Sequence, residues 1–189
     1  MIDHLYSQFY ANPKIGIACL YADYKDQTNQ TLVHILGSFL CQLLTTTQEP
    51  IPEEIIQRLY DTRRRGAKFG IEDHLALLKI RLHQLKRTFI CIDAVDELEP
   101  KVRRELLNAL RELSNTCLFL TGRGHVESEV QKCFQVEKEY TVVISASTQD
   151  IQEFVRQKID EDCDSNPEAM DDVLAKEIID AIITKSQGM

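Results

Sequence analysis

The chain has 189 residues, 43% of them hydrophobic and 28% charged, enough for one domain with a real core or one and a fraction. Its 22 basic against 30 acidic residues leave a formal charge of −8, a balance that argues against general affinity for nucleic acid or an anionic membrane. No apolar run approaches the length of a bilayer crossing and the N-terminus has no signal-peptide pattern, so a cytoplasmic protein is expected.

Four short runs rich in β-formers, each followed by helical periodicity, organise the sequence. The first is 15–24, followed by Leu32, Ile35, Leu36, Phe39, Leu40 and Leu43 at helical spacing. Pro52, with acids behind it, opens the next helix. The basic run Arg63-Arg64-Arg65-Gly66-Ala67-Lys68 lies before a helix, not after a strand, and reads as a solvated loop. Leu75, Leu78, Leu82 and Leu85 form the stripe that leads into the second run, 88–93. Pro100 opens a helix whose stripe is Val102, Leu106, Leu110 and Leu113, and the third run, 117–121, follows it. The fourth run is 140–145. Thr148 reads as the N-cap of a helix over roughly 149–162. The acidic stretch 160–172 then reads as the connection to a last helix over about 167–186.

The β-runs are apolar nearly throughout instead of alternating, as parallel strands covered on both faces are. Strand–helix alternation of this kind predicts an α/β fold: a three-layer parallel sheet with helices on both faces and right-handed crossovers. Ligands of such sheets bind outside the carboxyl ends of the strands. Cys19, Cys41, Cys91, Cys117, Cys133 and Cys163 are widely spaced with no C-x-x-C pair, and Cys19, Cys91 and Cys117 fall inside strand-like runs. They read as reduced, structural thiols, and with the five histidines they make no zinc spacing.

The chemistry concentrates at two strand ends. Phe89-Ile90-Cys91-Ile92-Asp93-Ala94-Val95-Asp96-Glu97-Leu98 is an apolar strand running into three carboxylates. Mg²⁺ keeps most of its waters and takes one or two carboxylates beside substrate phosphates, which suits Asp93 at a strand tip. Asp96 and Glu97, where the backbone turns, suit the orienting or deprotonating of an attacking water. The next strand ends Thr121-Gly122-Arg123, a hydroxyl, a glycine and a guanidinium that can fork onto phosphate oxygens. No Gly-x-x-x-x-Gly-Lys-Ser/Thr occurs, so the loop whose N–H groups and lysine would cradle the phosphates is missing.

The segment 89–98 resembles the Walker B motif of NACHT domains, and Leu118-Phe119-Leu120-Thr121-Gly122-Arg123 resembles the family's arginine-ending sensor. Residues 17–27 resemble the strand and loop after the first helix, leading to a helix that ends Leu40-Cys41-Gln42-Leu43-Leu44. Together these look most like nephrocystin-3-like NACHT proteins, often fused to ankyrin repeats. The resemblance implies a P-loop NTPase-like sheet of order 5-1-4-3-2 that lacks its first, central strand. It implies a partial nucleotide-binding domain over 1–147, with helices of the same domain and of the following region over 148–189. For the intact family it implies a signal-transducing switch that uses Mg²⁺ with ATP or GTP. By position, Asp93 would hold the metal, Asp96 and Glu97 would position water, and Thr121 and Arg123 would meet the nucleotide. The family's phosphate loop lies upstream of the helix that Ile2-Asp3-His4-Leu5 resembles, and relatives continue beyond Met189. The chain alone is therefore expected to bind nucleotide only if the loop is supplied, and not to hydrolyse it. The expected partners are further copies or full-length NACHT relatives, the latter by docking as an interaction module, with neither nucleic acid nor membrane.

Overall fold

The computed structural model describes the chain except residues 1, 10, 11, 48, 136–139, 146, 166–170 and 187–189. It divides into two compact units, 1–137 and 138–189.

In the first unit the order is α1 (Ile2–Phe9), β1 (Ile15–Tyr21), α2 (Leu32–Thr45), α3 (Glu53–Arg64), α4 (Ile71–Gln84), β2 (Arg87–Asp93), α5 (Pro100–Arg111), β3 (Thr116–Leu120) and α6 (Glu127–Phe134). The strands form one parallel sheet in the order β1-β2-β3. Each predicted helix start has its physical cause. The Thr31 hydroxyl accepts from the N–H of His34 at the head of α2, and Glu99 caps α5 through Val102, with Pro100 in the first turn. Pro52 stands at the N-cap of α3, one residue outside the helix.

Register sorts the side chains by face, because paired residues of parallel strands point the same way. Ala18, Ile90 and Leu118 share one row, and Leu20, Ile92 and Leu120 the next. This face meets α2, α4 and α5, where Leu36, Phe39, Leu43, Leu78, Leu82 and Leu106 are fully buried. On the opposite face α1 covers β1 and β2, and Phe9 stacks on Phe89 with ring centroids 5.4 Å apart. Among the described residues of this unit nothing covers that face over β3, where Cys117 and Phe119 are exposed. The expectation that every strand is covered on both sides therefore fails for β3, and Cys117 is no buried hydrophobe.

The outer side of β1 is closed by two glutamine amides. Gln42 accepts from the N–H of Cys19 (2.8 Å) and donates to its carbonyl (2.9 Å). Gln30 donates to the carbonyl of Tyr21 and accepts from the N–H of Asp23, both at 3.1 Å. Each amide stands where a neighbouring strand's peptide group would be.

The second unit consists of α7 (Thr148–Ser165) packed against α8 (Asp172–Ser186). The expected strand at 140–145 is absent: among the described residues this segment has no strand pairing, and Val142, Val143 and Ile144 are more than 80% exposed. β-branched composition gives a segment the capacity to pair but does not supply a partner. Thr148 lies within α7; the cap is Ser147, whose hydroxyl accepts from the N–H of Asp150 while the Asp150 carboxylate accepts from the Ser147 N–H (2.8 Å) and hydroxyl (2.7 Å). The stretch 160–172 is helical as far as Ser165, and the last helix starts at Asp172, later than expected.

The Ser147 bonds hold the Asp150 carboxyl below its ordinary value. A depressed folded-state pKa stabilises above the unfolded value, and the contribution is lost as pH falls through the folded one. The start of α7 is therefore expected to fray only below about pH 4. An NMR titration of the Asp150 side chain checks this: its midpoint lies under that of an ordinary aspartate, and Ser147→Ala moves it only part of the way back, since the backbone N–H bond remains.

Candidate functional site

The ends of β2 and β3 are laced together beyond the last ladder pair. The Thr121 N–H donates to the carbonyl of Ile92 (2.9 Å), and the Thr121 carbonyl accepts from the N–H of Val95 (2.8 Å). The Thr121 hydroxyl accepts from the N–H of Ala94 (2.9 Å) and donates to Oδ1 of Asp93. These bonds hold Ala94 at φ 54°, ψ 47°, a left-handed conformation that costs a non-glycine residue about 1–3 kcal/mol. The chain thus turns sharply at the strand tip and winds the tight turn Val95–Glu97, which carries the other two acids.

Asp96 points inward, its side chain only 6% exposed. Oδ1 accepts from the backbone N–H of Arg123 (3.2 Å), and Oδ2 lies 3.6 Å from Nε of the same residue. The Arg123 side chain is 78% exposed, so it leans on Asp96 from the solvent side. Between them Gly122 fills a tight space. A Cβ there would stand 3.0 Å from Val95 Cγ1, 3.1 Å from Val126 Cγ2 and 3.3 Å from Asp96 Oδ1. Glu97 turns the other way, accepting from the N–H of Tyr24 (3.2 Å), while its carbonyl takes the Gln27 amide (3.1 Å). Asp93, Asp96, Thr121 and Arg123 therefore share one rim of the sheet, and Glu97 ties that rim to the loop after β1.

Sequence reading missed the residue that braces this rim. Arg103 of α5 is 9% exposed; its Nη1 donates to the carbonyls of Asp96 (3.4 Å) and Leu98 (3.2 Å), and its Nε to Oε2 of Glu129 on α6 (2.8 Å). One guanidinium thus connects the acidic turn to the helix that follows Arg123. Its signal is an arginine three, four and seven residues before Leu106, Leu107 and Leu110, in step with the buried face of α5.

The donor set at the rim is all oxygen. One oxygen of the exposed Asp93 is engaged by Thr121, and among the described residues no bond engages the other. Among the described residues no three His, Cys, Asp or Glu side chains converge as a protein-only metal site. A single open carboxylate fits a hard cation whose remaining ligands are waters and phosphate oxygens. Asp96 is already occupied by Arg123, and Glu97 by a backbone N–H.

No helix of the described residues is long and apolar enough to cross a membrane. Comparison with curated proteins and with solved structures finds no match. The model of the family described as Nephrocystin 3, N-terminal, matches residues 1–123, which spans the whole sheet and ends on the arginine of the rim. The chain belongs to the nephrocystin 3 N-terminal family.

Proposed function

We propose that the rim is the metal-and-sensor half of a NACHT-type nucleotide switch that uses Mg²⁺ with ATP or GTP. Asp93 is the metal-side carboxylate, held by the Thr121 hydroxyl. Arg123 is the γ-phosphate sensor, and its rest position is the Asp96 carboxylate. A bound Mg²⁺–nucleotide would supply a concentrated phosphate charge. The chain's own part is to offer one oxygen ligand and one exposed guanidinium at a common edge. Asp96 then acts as the counter-charge that Arg123 leaves when a stronger anion is present, and Glu97 fixes the loop after β1 rather than a water. The observation that carries the reading is the Arg123–Asp96 contact beside the Thr121–Asp93 bond.

The chain has no phosphate loop in its sequence, so tight binding and hydrolysis by it alone are not expected. Calorimetric titration with Mg-ATP and Mg-GTP is expected to show no saturable micromolar binding, that is, a free energy weaker than about −8 kcal/mol. Micromolar binding that Asp93→Ala removes overturns the incompleteness; micromolar binding that survives it overturns the role of Asp93. An in-frame Gly-x-x-x-x-Gly-Lys-Ser/Thr encoded just upstream, and Asp93-dependent binding by the chain extended to include it, would support the switch.

A second reading rests on β3. Among the described residues it pairs only with β2, and Phe119 beside that edge is 43% exposed. An open apolar edge suits an interaction module that docks on further copies or on full-length NACHT relatives. A strictly monomeric chain that captures no such relative when mixed with it removes this reading.

A further inference from the structure

Helix α3 turns its apolar stripe to solvent. Its one buried residue is Ile55, fully covered. Ile56 (45% exposed), Leu59 (36%) and Tyr60 (61%) recur with Arg63 at positions i, i+3, i+4 and i+7, the spacing of one helical face. Where the stripe ends, Arg63, Arg64, Arg65 and Lys68 crowd into six residues; Arg63 and Arg64 belong to the helix and Arg65 caps it. Among the described residues none of these four cations is in an ion pair, although the chain has a surplus of acids. The Arg65 side chain donates to the Asp61 carbonyl, at 3.2 Å. The opposite end of the helix carries Glu53 and Glu54.

We propose that this face of α3 docks an acidic amphipathic helix of a partner protein. The partner's apolar side chains would lie on Ile56, Leu59 and Tyr60, and its carboxylates would meet Arg63, Arg64 and Lys68. Tyrosine and arginine side by side are the residue types that dominate binding energy at such interfaces. Charge selects this occupant. A continuous polyanion such as RNA, or an anionic lipid surface, would meet Glu53 and Glu54 about 16 Å along the helix from the cations and has no counterpart for the apolar stripe. A helix with an apolar face and acids toward one end matches both halves.

The test is selection of a displayed library of random helical peptides on the full chain. Recovered peptides are expected to combine apolar residues at i, i+3 and i+4 with acids at one end. The double substitution Arg63→Glu with Arg64→Glu, and separately Tyr60→Ser, should each weaken them by about ten-fold or more. All three side chains are exposed, so circular dichroism and the urea midpoint should match the parent, showing that the variants fold. The proposal is overturned if no peptide is enriched, if enriched peptides lack the acids, or if they bind the variants equally well. It is also overturned if phosphatidylserine vesicles or poly(U) RNA displace the peptides and bind more tightly. Self-association that Arg63→Glu with Arg64→Glu abolishes would assign the face to a second copy and overturn it as well.

Discussion

Replacing Arg81 by leucine should cost about 2–4 kcal/mol, a large share of what a small domain has to lose. Arg81 is the most voluminous fully buried side chain of the described residues. Its guanidinium donates to the carbonyls of Leu43 (3.2 Å), Glu49 (3.1 Å) and Pro50 (3.0 Å), to Oε1 of Gln84 (2.7 Å) and to the Thr47 hydroxyl. One residue therefore fastens the C-terminal end of α2 and the loop after it to α4. Burial lowers its pKa while the Glu49 charge opposes that. Leucine would relieve the burial of a charge, which favours the variant. It would also take a donor from the carbonyls of Leu43 and Glu49 and from the Thr47 hydroxyl, each loss worth at most about 1–3 kcal/mol, since the Thr47 hydroxyl still donates to the Leu43 carbonyl (2.8 Å). Pro50 and Gln84 are exposed and can rehydrate, so the loss stays within this range instead of summing five bonds. Arg81→Lys keeps the charge but not the fork, and should fall between. Urea unfolding followed by circular dichroism gives the values. A midpoint unchanged in Arg81→Leu would show the network to be dispensable.

The second large effect is expected at Arg103. Arg103→Met should lose about 2–4 kcal/mol, because Glu129 keeps only the longer contact with Arg104 (3.9 Å) and the carbonyls of Asp96 and Leu98 lose their donor. The figure is below that of a fully buried pair because the side chains are 11% and 25% exposed. Glu129→Gln retains an acceptor and should cost less, and the double variant should show positive coupling between the two sites. A local consequence separates this from general loosening. The Glu97 N–H, bonded to Ala94 (2.8 Å), should exchange with solvent much faster in Arg103→Met, while amides of β1 keep their protection. Equal acceleration in both places would show that Arg103 supports the whole unit and not the acidic turn.

Both arginines mark what the sequence hides. The leucine stripes of α2, α4 and α5 and the apolar runs of β1, β2 and β3 are legible because burial imposes a period, and periods survive in sequence. Asp93, Asp96, Thr121 and Arg123 are legible for a related reason: polar residues directly after an apolar strand must lie at its tip. Arg81 follows Leu77 and Leu78 at the spacing of the same buried face, so its position was readable as a cation on a core stripe. Four of its five acceptors were not, since Leu43, Thr47, Glu49 and Pro50 come from the end of another helix and an irregular loop. The pairing of Glu97 with Tyr24, 73 positions apart, is equally invisible without the fold. The fourth strand was misread because Val142, Val143 and Ile144 have the composition of a strand, and composition is silent on whether an edge is available. Exposure of Cys117 and Phe119 was misread for the same reason, since an apolar run does not say which of its faces has a neighbour.

The glutamine clasps on β1 make the sheet directional. Gln42 and Gln30 already use backbone groups that an incoming strand on that flank would need, so lateral addition there would first have to dislodge two side chains. The flank beside β3 presents no such obstacle among the described residues. Any polypeptide that extends this sheet should consequently arrive next to Thr121 and Arg123, so that enlarging the scaffold and building around the rim become a single event.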